Sequence, residues 1–142
     1  MFDLHNNCRT AVAIEPVAAG TTGTGQVGNV IDRQGYGGVE FVLAIGAITS
    51  STATFTAVVK EGDATGAMTS VADADLLGTE ALASIGAGAR VDGSTEKVTT
   101  RIGYKGHKRY VQCSIVNTAT AGTPVSALAV LHSPSQAPVD NP

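Results

Sequence analysis

The sequence has no tryptophan, and aromatic residues make up only 4% of it. A core must therefore be assembled from Val, Ile, Leu and Ala, and a sugar-stacking platform of large rings is hard to build. Charge is also sparse, at 15% of residues with a net charge of −3. That balance lacks the clustered basic face that nucleic acid requires, and it suits an anionic membrane surface poorly. No apolar run reaches the ~18 residues of a bilayer span. The first seven residues, Met1 to Asn7, contain neither a basic nor an apolar signal-peptide region, so no export signal is expected. Cys8 and Cys113 are the only cysteines, too few for a disulfide framework, and reduced thiols are the default.

What remains is apolar and β-branched. Hydrophobic residues make up 43% of a 142-residue chain, enough for one domain with a real core. Short apolar stretches alternate with Gly, Thr, Ser and Asp. Ala11 to Ile14 is a first strand, stopped by Pro16, and Val27 to Ile31 is a second. Val39 to Ile45 is apolar at nearly every position and bounded by Gly38 and Gly46, which predicts a strand covered on both faces. Ala53 to Val59 alternates, with Phe55 and Ala57 on one side and Thr54, Thr56 and Val58 on the other. Between these two strands, Ala47 to Thr52 reads as a hairpin connection. Val71 to Gly78 is the best site for a helical turn, with Asp73 as its cap, Leu76 and Leu77 facing the core and Gly78 at its end. Ala81 to Ile85 is broken by Gly86 and Gly88 too soon for a stable helix. Lys97 to Gly103 is a strand and Gly103 to His107 a turn. In the next strand, from Arg109 to Val116, Val111, Cys113 and Ile115 share one face. Val125 to Leu131 is the last strand.

This spacing predicts an all-β fold: a single-domain β-sandwich or β-barrel, jelly-roll-like, with at most one short helical turn. The domain occupies residues 1–142, with an extended N-terminal arm (1–10) and a Pro-rich tail (132–142).

Templates for chemistry fail one by one. His5, His107 and His132 form no zinc spacing with each other or with a cysteine. Gly23 to Gly28 matches G-x-G-x-x-G, but no helix is expected after it to receive a phosphate. Glu61, Asp63, Asp73 and Asp75 are the candidates for a Ca²⁺ site. Their spacing is not that of an EF-hand, and Asp in turns has its own backbone reasons. Neither a metal nor a cofactor is expected, and no catalytic residues are assigned. Positive charge does gather around the turn: Arg101, Tyr104, Lys105, His107, Lys108 and Arg109 are the candidate partner contacts, facing an acidic patch on another protein. A solvated hairpin end is the competing reading.

Four segments taken together carry a resemblance. They are Gly37 to Leu43, Thr54 to Asp63, Val71 to Gly78 and Ile102 to Val111, followed by the tail His132-Ser133-Pro134. In that order, over Val30 to Pro138, the chain resembles small structural proteins encoded near the capsid genes of tailed bacteriophages. The resemblance implies a non-enzymatic virion component, most of all a capsid decoration or cement protein assembled in the host cytoplasm. Its partners would be the major capsid protein and further copies of itself, a trimer being the first expectation, with no nucleic acid and no membrane. A head–tail connector or tail component is the alternative, and a carbohydrate-binding β module a further one.

Overall fold

The computed structural model describes residues 3–19, 25–86, 88–91, 98–118 and 122–139. Among the described residues, nine strands form two antiparallel sheets. One sheet has five strands in the order β1 (Cys8–Ala18), β9 (Pro124–Pro134), β3 (Tyr36–Ile45), β7 (Val98–Tyr104) and β6 (Leu76–Leu77). The other has four, in the order β2 (Val30–Asp32), β8 (Tyr110–Asn117), β4 (Phe55–Gly62) and β5 (Thr69–Ser70). The fold is thus an all-β sandwich, and the barrel alternative is set aside.

The core lies between the sheets and follows the period of two that a pleated strand imposes. β3 sends Val39, Phe41, Leu43 and Ile45 inward. β4 answers with Phe55, Ala57 and Val59, and β8 with Val111, Cys113 and Ile115. Each large aliphatic or Phe side chain so buried contributes roughly 1.5–3 kcal/mol. The inner faces are built from Val, Ile, Leu, Ala and Phe, as expected of a core without tryptophan.

Two connections differ from expectation. The segment from Ala47 to Thr52 is no hairpin, because β3 and β4 belong to different sheets. Both edges of β3 are already taken by β9 and β7, so β4 has no place beside it. Likewise the turn after Gly103 carries the chain from β7 in one sheet to β8 in the other.

Other boundaries move for local reasons. β1 runs through Pro16 to Ala18, since an edge strand tolerates a missing N–H; register shifts fall between Val12 and Ile14 and between Ile14 and Val17. Residues 8–10 of the expected arm are therefore sheet. So are residues 132–134 of the expected tail, and further on the Val139 N–H donates to the Asn6 carbonyl at 3.0 Å. Asp73 to Asp75 form one 3-10 turn, in which Asp73 is the first residue and not the cap. Extended backbone then sends Leu76 inward and leaves Leu77 out, where a helix would have kept both on one side. A second turn forms at α1 (Glu80–Ala83), within the Ala-rich stretch, because the Thr79 hydroxyl caps the Leu82 N–H. Lys97, expected to open the strand before Gly103, lies outside the described residues, as do Gly23 and Thr24 of the glycine motif.

Candidate functional site

Six residues in and around the basic turn are the ones the sequence offers as partner contacts. Tyr104, at the end of β7, is fully buried and offers no surface. Burial follows from its place on the inner face of the sheet, next to Ile102 two positions before it. Its hydroxyl donates to the Glu61 carboxylate and accepts the Lys108 N–H at 3.0 Å. Burial first, and the Glu61 carboxylate second, push the phenol up to about 12. Arg33 lies over the ring, 5.2 Å from its centroid, and donates to the carbonyls of Lys108 at 2.6 Å and Tyr36 at 3.0 Å. Gly106 is required here, since a Cβ would sit 2.4 Å from the Tyr104 Oη. Lys108 pairs with Asp63 at 2.5 Å, and its ammonium pKa is raised by that hydrogen bond. Arg109 makes a two-pronged contact with Asp32, at 2.6 and 3.0 Å. The same hydrogen bond holds the Asp32 carboxyl below the usual range. Arg101 stands apart on the opposite side of the five-stranded sheet, 3.8 Å from Glu40. Lys105 and His107 are exposed.

The cluster is thus a clasp that pins a crossing between two sheets, and not a single charged patch. Two of the four acids proposed for Ca²⁺ are used in it: Glu61 on Tyr104 and Asp63 on Lys108. Among the described residues, no three His, Cys, Asp or Glu side chains are grouped to hold a metal ion. Cys113 is no nucleophile, because burial pushes its thiol up to about 12 and keeps it protonated at neutral pH.

Parts of both sides of the sandwich are covered by other segments of the chain. Beside β4, the Phe55, Ala57 and Val59 N–H groups donate to the Ile85 carbonyl, the Ser84 hydroxyl and the Glu80 carboxylate, at 2.9, 2.9 and 2.6 Å. The α1 segment also reaches β7, whose Thr100 hydroxyl donates to the Ala83 carbonyl at 2.8 Å. On the other side, the Asn29 N–H donates to the Ala13 carbonyl of β1, and the Gln112 amide of β8 donates to the Gly28 carbonyl. Covering sheet edges in this way blocks strand-to-strand association.

Among the described residues, the outer face of the five-stranded sheet stays open. Register aligns Val12, Leu128, Val42 and Arg101 in one row across β1, β9, β3 and β7. The next row holds Thr10, Val130, Glu40, Gly103 and Leu77. Val12, Leu128 and Leu77 are 46%, 48% and 46% exposed. A hollow of about 560 Å³ flanks this face between Leu77, Leu82 and Arg101; one of about 500 Å³, walled by Pro16, Ala47 and Pro124, flanks its other end. The opposite outer face, on the four-stranded sheet, is more polar, with Thr56, Lys60, Gln112 and Ser114.

This face was missed in the sequence, although its signal was there. Val39 to Ile45 is apolar at nearly all positions and predicted a strand covered on both sides. In the monomer only one side is covered, so Val42 and Ala44 lie on the open one.

No protein-family model and no curated protein matches the sequence. Among solved structures, the chain is similar to the CBM22-1 and GH10 modules of the Clostridium thermocellum N-terminal endo-1,4-β-D-xylanase 10B, complexed with xylohexaose. The identity is 12% and the TM-score 0.51, over 92% of this chain but only 27% of that one. A likeness at that level is one of fold. It is also similar to the SPBc2 prophage-derived protein YomS (14% identity, TM-score 0.49, 89% and 94% covered). A third is the PRD1 vertex protein P5 (11% identity, TM-score 0.46, 90% and 98% covered).

Proposed function

We propose that this chain is a virion structural protein of a tailed bacteriophage, a capsid decoration or cement protein that works by contact area and not by chemistry. The observation that carries the proposal is the outer face of the five-stranded sheet: largely apolar, open among the described residues, and on a sandwich whose edges are partly covered by its own segments. Its ionisable groups support the same reading, since those at the clasp are spent on fastening one loop and leave no converging acid, base and nucleophile among the described residues. The resemblance to capsid-associated phage proteins points to the particle in which such contacts would be made, with the major capsid protein as partner. A cement protein gains avidity when one unit touches several neighbours at once, so modest single contacts suffice.

A carbohydrate-binding role is less favoured, although part of that xylanase structure has a similar fold. Tyr104, Phe41 and Phe55 are all inside, and the open sheet face presents aliphatic side chains where a sugar would need rings. Imaging of purified particles by cryo-electron microscopy is the test. The expected result is hundreds of copies on the head, with heads stripped of the protein losing tolerance to heat. A dozen copies or fewer at the neck or tail would favour the connector reading. Absence from the particle would overturn both.

A further inference from the structure

We infer that the open face of the five-stranded sheet closes against the same face of a second copy, in a two-fold pair. The inference rests on the contact-protein reading above and names the first occupant of that face. Three observations support it.

The first is the pattern on β3 and β9. A strand with apolar residues on both sides is the signature of a sheet covered on both sides, and here, among the described residues, Leu128 is exposed and Val42 and Val130 are only partly buried. The second is area. The four longer strands lie about 4.8 Å apart, and with Ser126, Ala44 and Thr99 as a third row they make roughly 400 Å² per copy and roughly 800 Å² per pair, the size of a weak, reversible contact.

The third is charge. Glu40 and Arg101 are the ionised groups within these two rows, and they are opposite in sign. Arg101 is 81% exposed and meets Glu40 at 3.8 Å, beyond hydrogen-bond length, so its guanidinium keeps donors for another carboxylate. Glu40 leans over Gly103, where a Cβ would lie 2.4 Å from its Oε2. Consider a two-fold axis across the strands, between the two rows. It lays Arg101 of each copy over Gly103 of the other, beside that copy's Glu40, and sets Leu128 over Val130. Two sheets stacked face to face pack in this aligned manner. The pairing is isologous, and a dimer replaces the trimer expected from the sequence.

Sedimentation of the purified full chain from about 1 µM to about 1 mM tests this, with a Kd in the micromolar range expected for so small an interface. The wild type should pass from the mass of one chain to that of two. Leu128→Glu should hold the mass of one chain throughout. Its side chain is half exposed, so the fold should survive, with circular dichroism as the check; Val12→Glu on the edge strand serves if it does not. Arg101→Glu should weaken the pair at least tenfold, and Glu40→Arg with Arg101→Glu should restore it. Thr56→Glu, on the opposite face, should change nothing. A wild type that stays at one chain to about 1 mM, a mass of three chains, or a folded Leu128→Glu that still pairs would each overturn the inference. No particle enters this measurement, so its outcome is independent of whether the chain is found on phage heads.

Discussion

Replacing Tyr104 with Phe removes one oxygen from the centre of the clasp and changes nothing else in shape. The ring is fully buried, so the lost hydroxyl is not replaced by water. Two hydrogen bonds go with it: the one donated to the Glu61 carboxylate and the one accepted from the Lys108 N–H. A hydrogen bond to a charged group contributes about 1.5–3 kcal/mol and a neutral one about 1 kcal/mol, so the expected loss is about 2.5–4 kcal/mol. For a chain of this size about 3 °C accompany each kcal/mol, giving a fall in Tm of about 8–12 °C. Differential scanning calorimetry measures the fall. Amide exchange locates it, since the Lys108 N–H should lose protection while β3 keeps its own. The pH dependence carries a second signature. The phenol is raised from 10.0 to about 12, so the unfolded chain releases this proton first. The stability tied to Tyr104 is complete below pH 10 and drains away as pH rises towards 12. Tyr104→Phe should show a flatter alkaline limb. A loss below about 0.5 kcal/mol with Lys108 still protected would refute the clasp.

Three further outcomes follow from the same geometry. Gly106→Ala drives a Cβ to 2.4 and 2.6 Å from the Oη and Cζ of Tyr104, and should cost about 2–3 kcal/mol in a denaturant titration; Gly66→Ala, with nothing within 4 Å, should stay within about 0.5 kcal/mol. Glu80→Ala strips the acceptor from the Val59 N–H on the covered edge of β4, and should lower stability by about 1–3 kcal/mol and raise light scattering on heating, whereas Glu80→Gln keeps an acceptor oxygen and should resemble the wild type. Asp32→Asn removes a carboxyl held below its ordinary 3.8 by Arg109, so the wild type's advantage should be present above pH 4 and vanish as pH falls through the native pKa, read as two Tm curves that converge in acid.

Much of the fold was legible because strands announce themselves by alternation. Phe55 and Ala57 against Thr56, and Val111, Cys113 and Ile115 against Gln112, face as their spacing predicted. Partners in the sheet were not legible. Residues 47–52 have the composition of a hairpin loop, yet nothing in them encodes that both edges of β3 are filled by β9 and β7, one of them nearly a hundred residues on. Pro16 marked a stop only if β1 were central, and its position at an edge is a property of the whole sheet. Leu76 and Leu77 read as neighbours on a helix, and a single 3-10 turn ahead of them was enough to split them across a strand.

The candidate contacts were only partly legible for a related reason. Charged residues draw attention in a sequence with few of them, and the cluster from Arg101 to Arg109 looked like a surface feature. A crossing between sheets, however, brings backbone carbonyls and N–H groups away from any ladder, and these need partners. Arg33 serves the carbonyls of Gly106 and Lys108, and the Tyr104 hydroxyl serves the Lys108 N–H. The ion pairs to Asp63 and Asp32 then hold the rest of the crossing down. Most of the chain's ionisable material near this turn is thereby consumed in folding. The outer face of the five-stranded sheet carries less charge, and its marker in the sequence is an apolar run on β3 that the described residues cover on one side only.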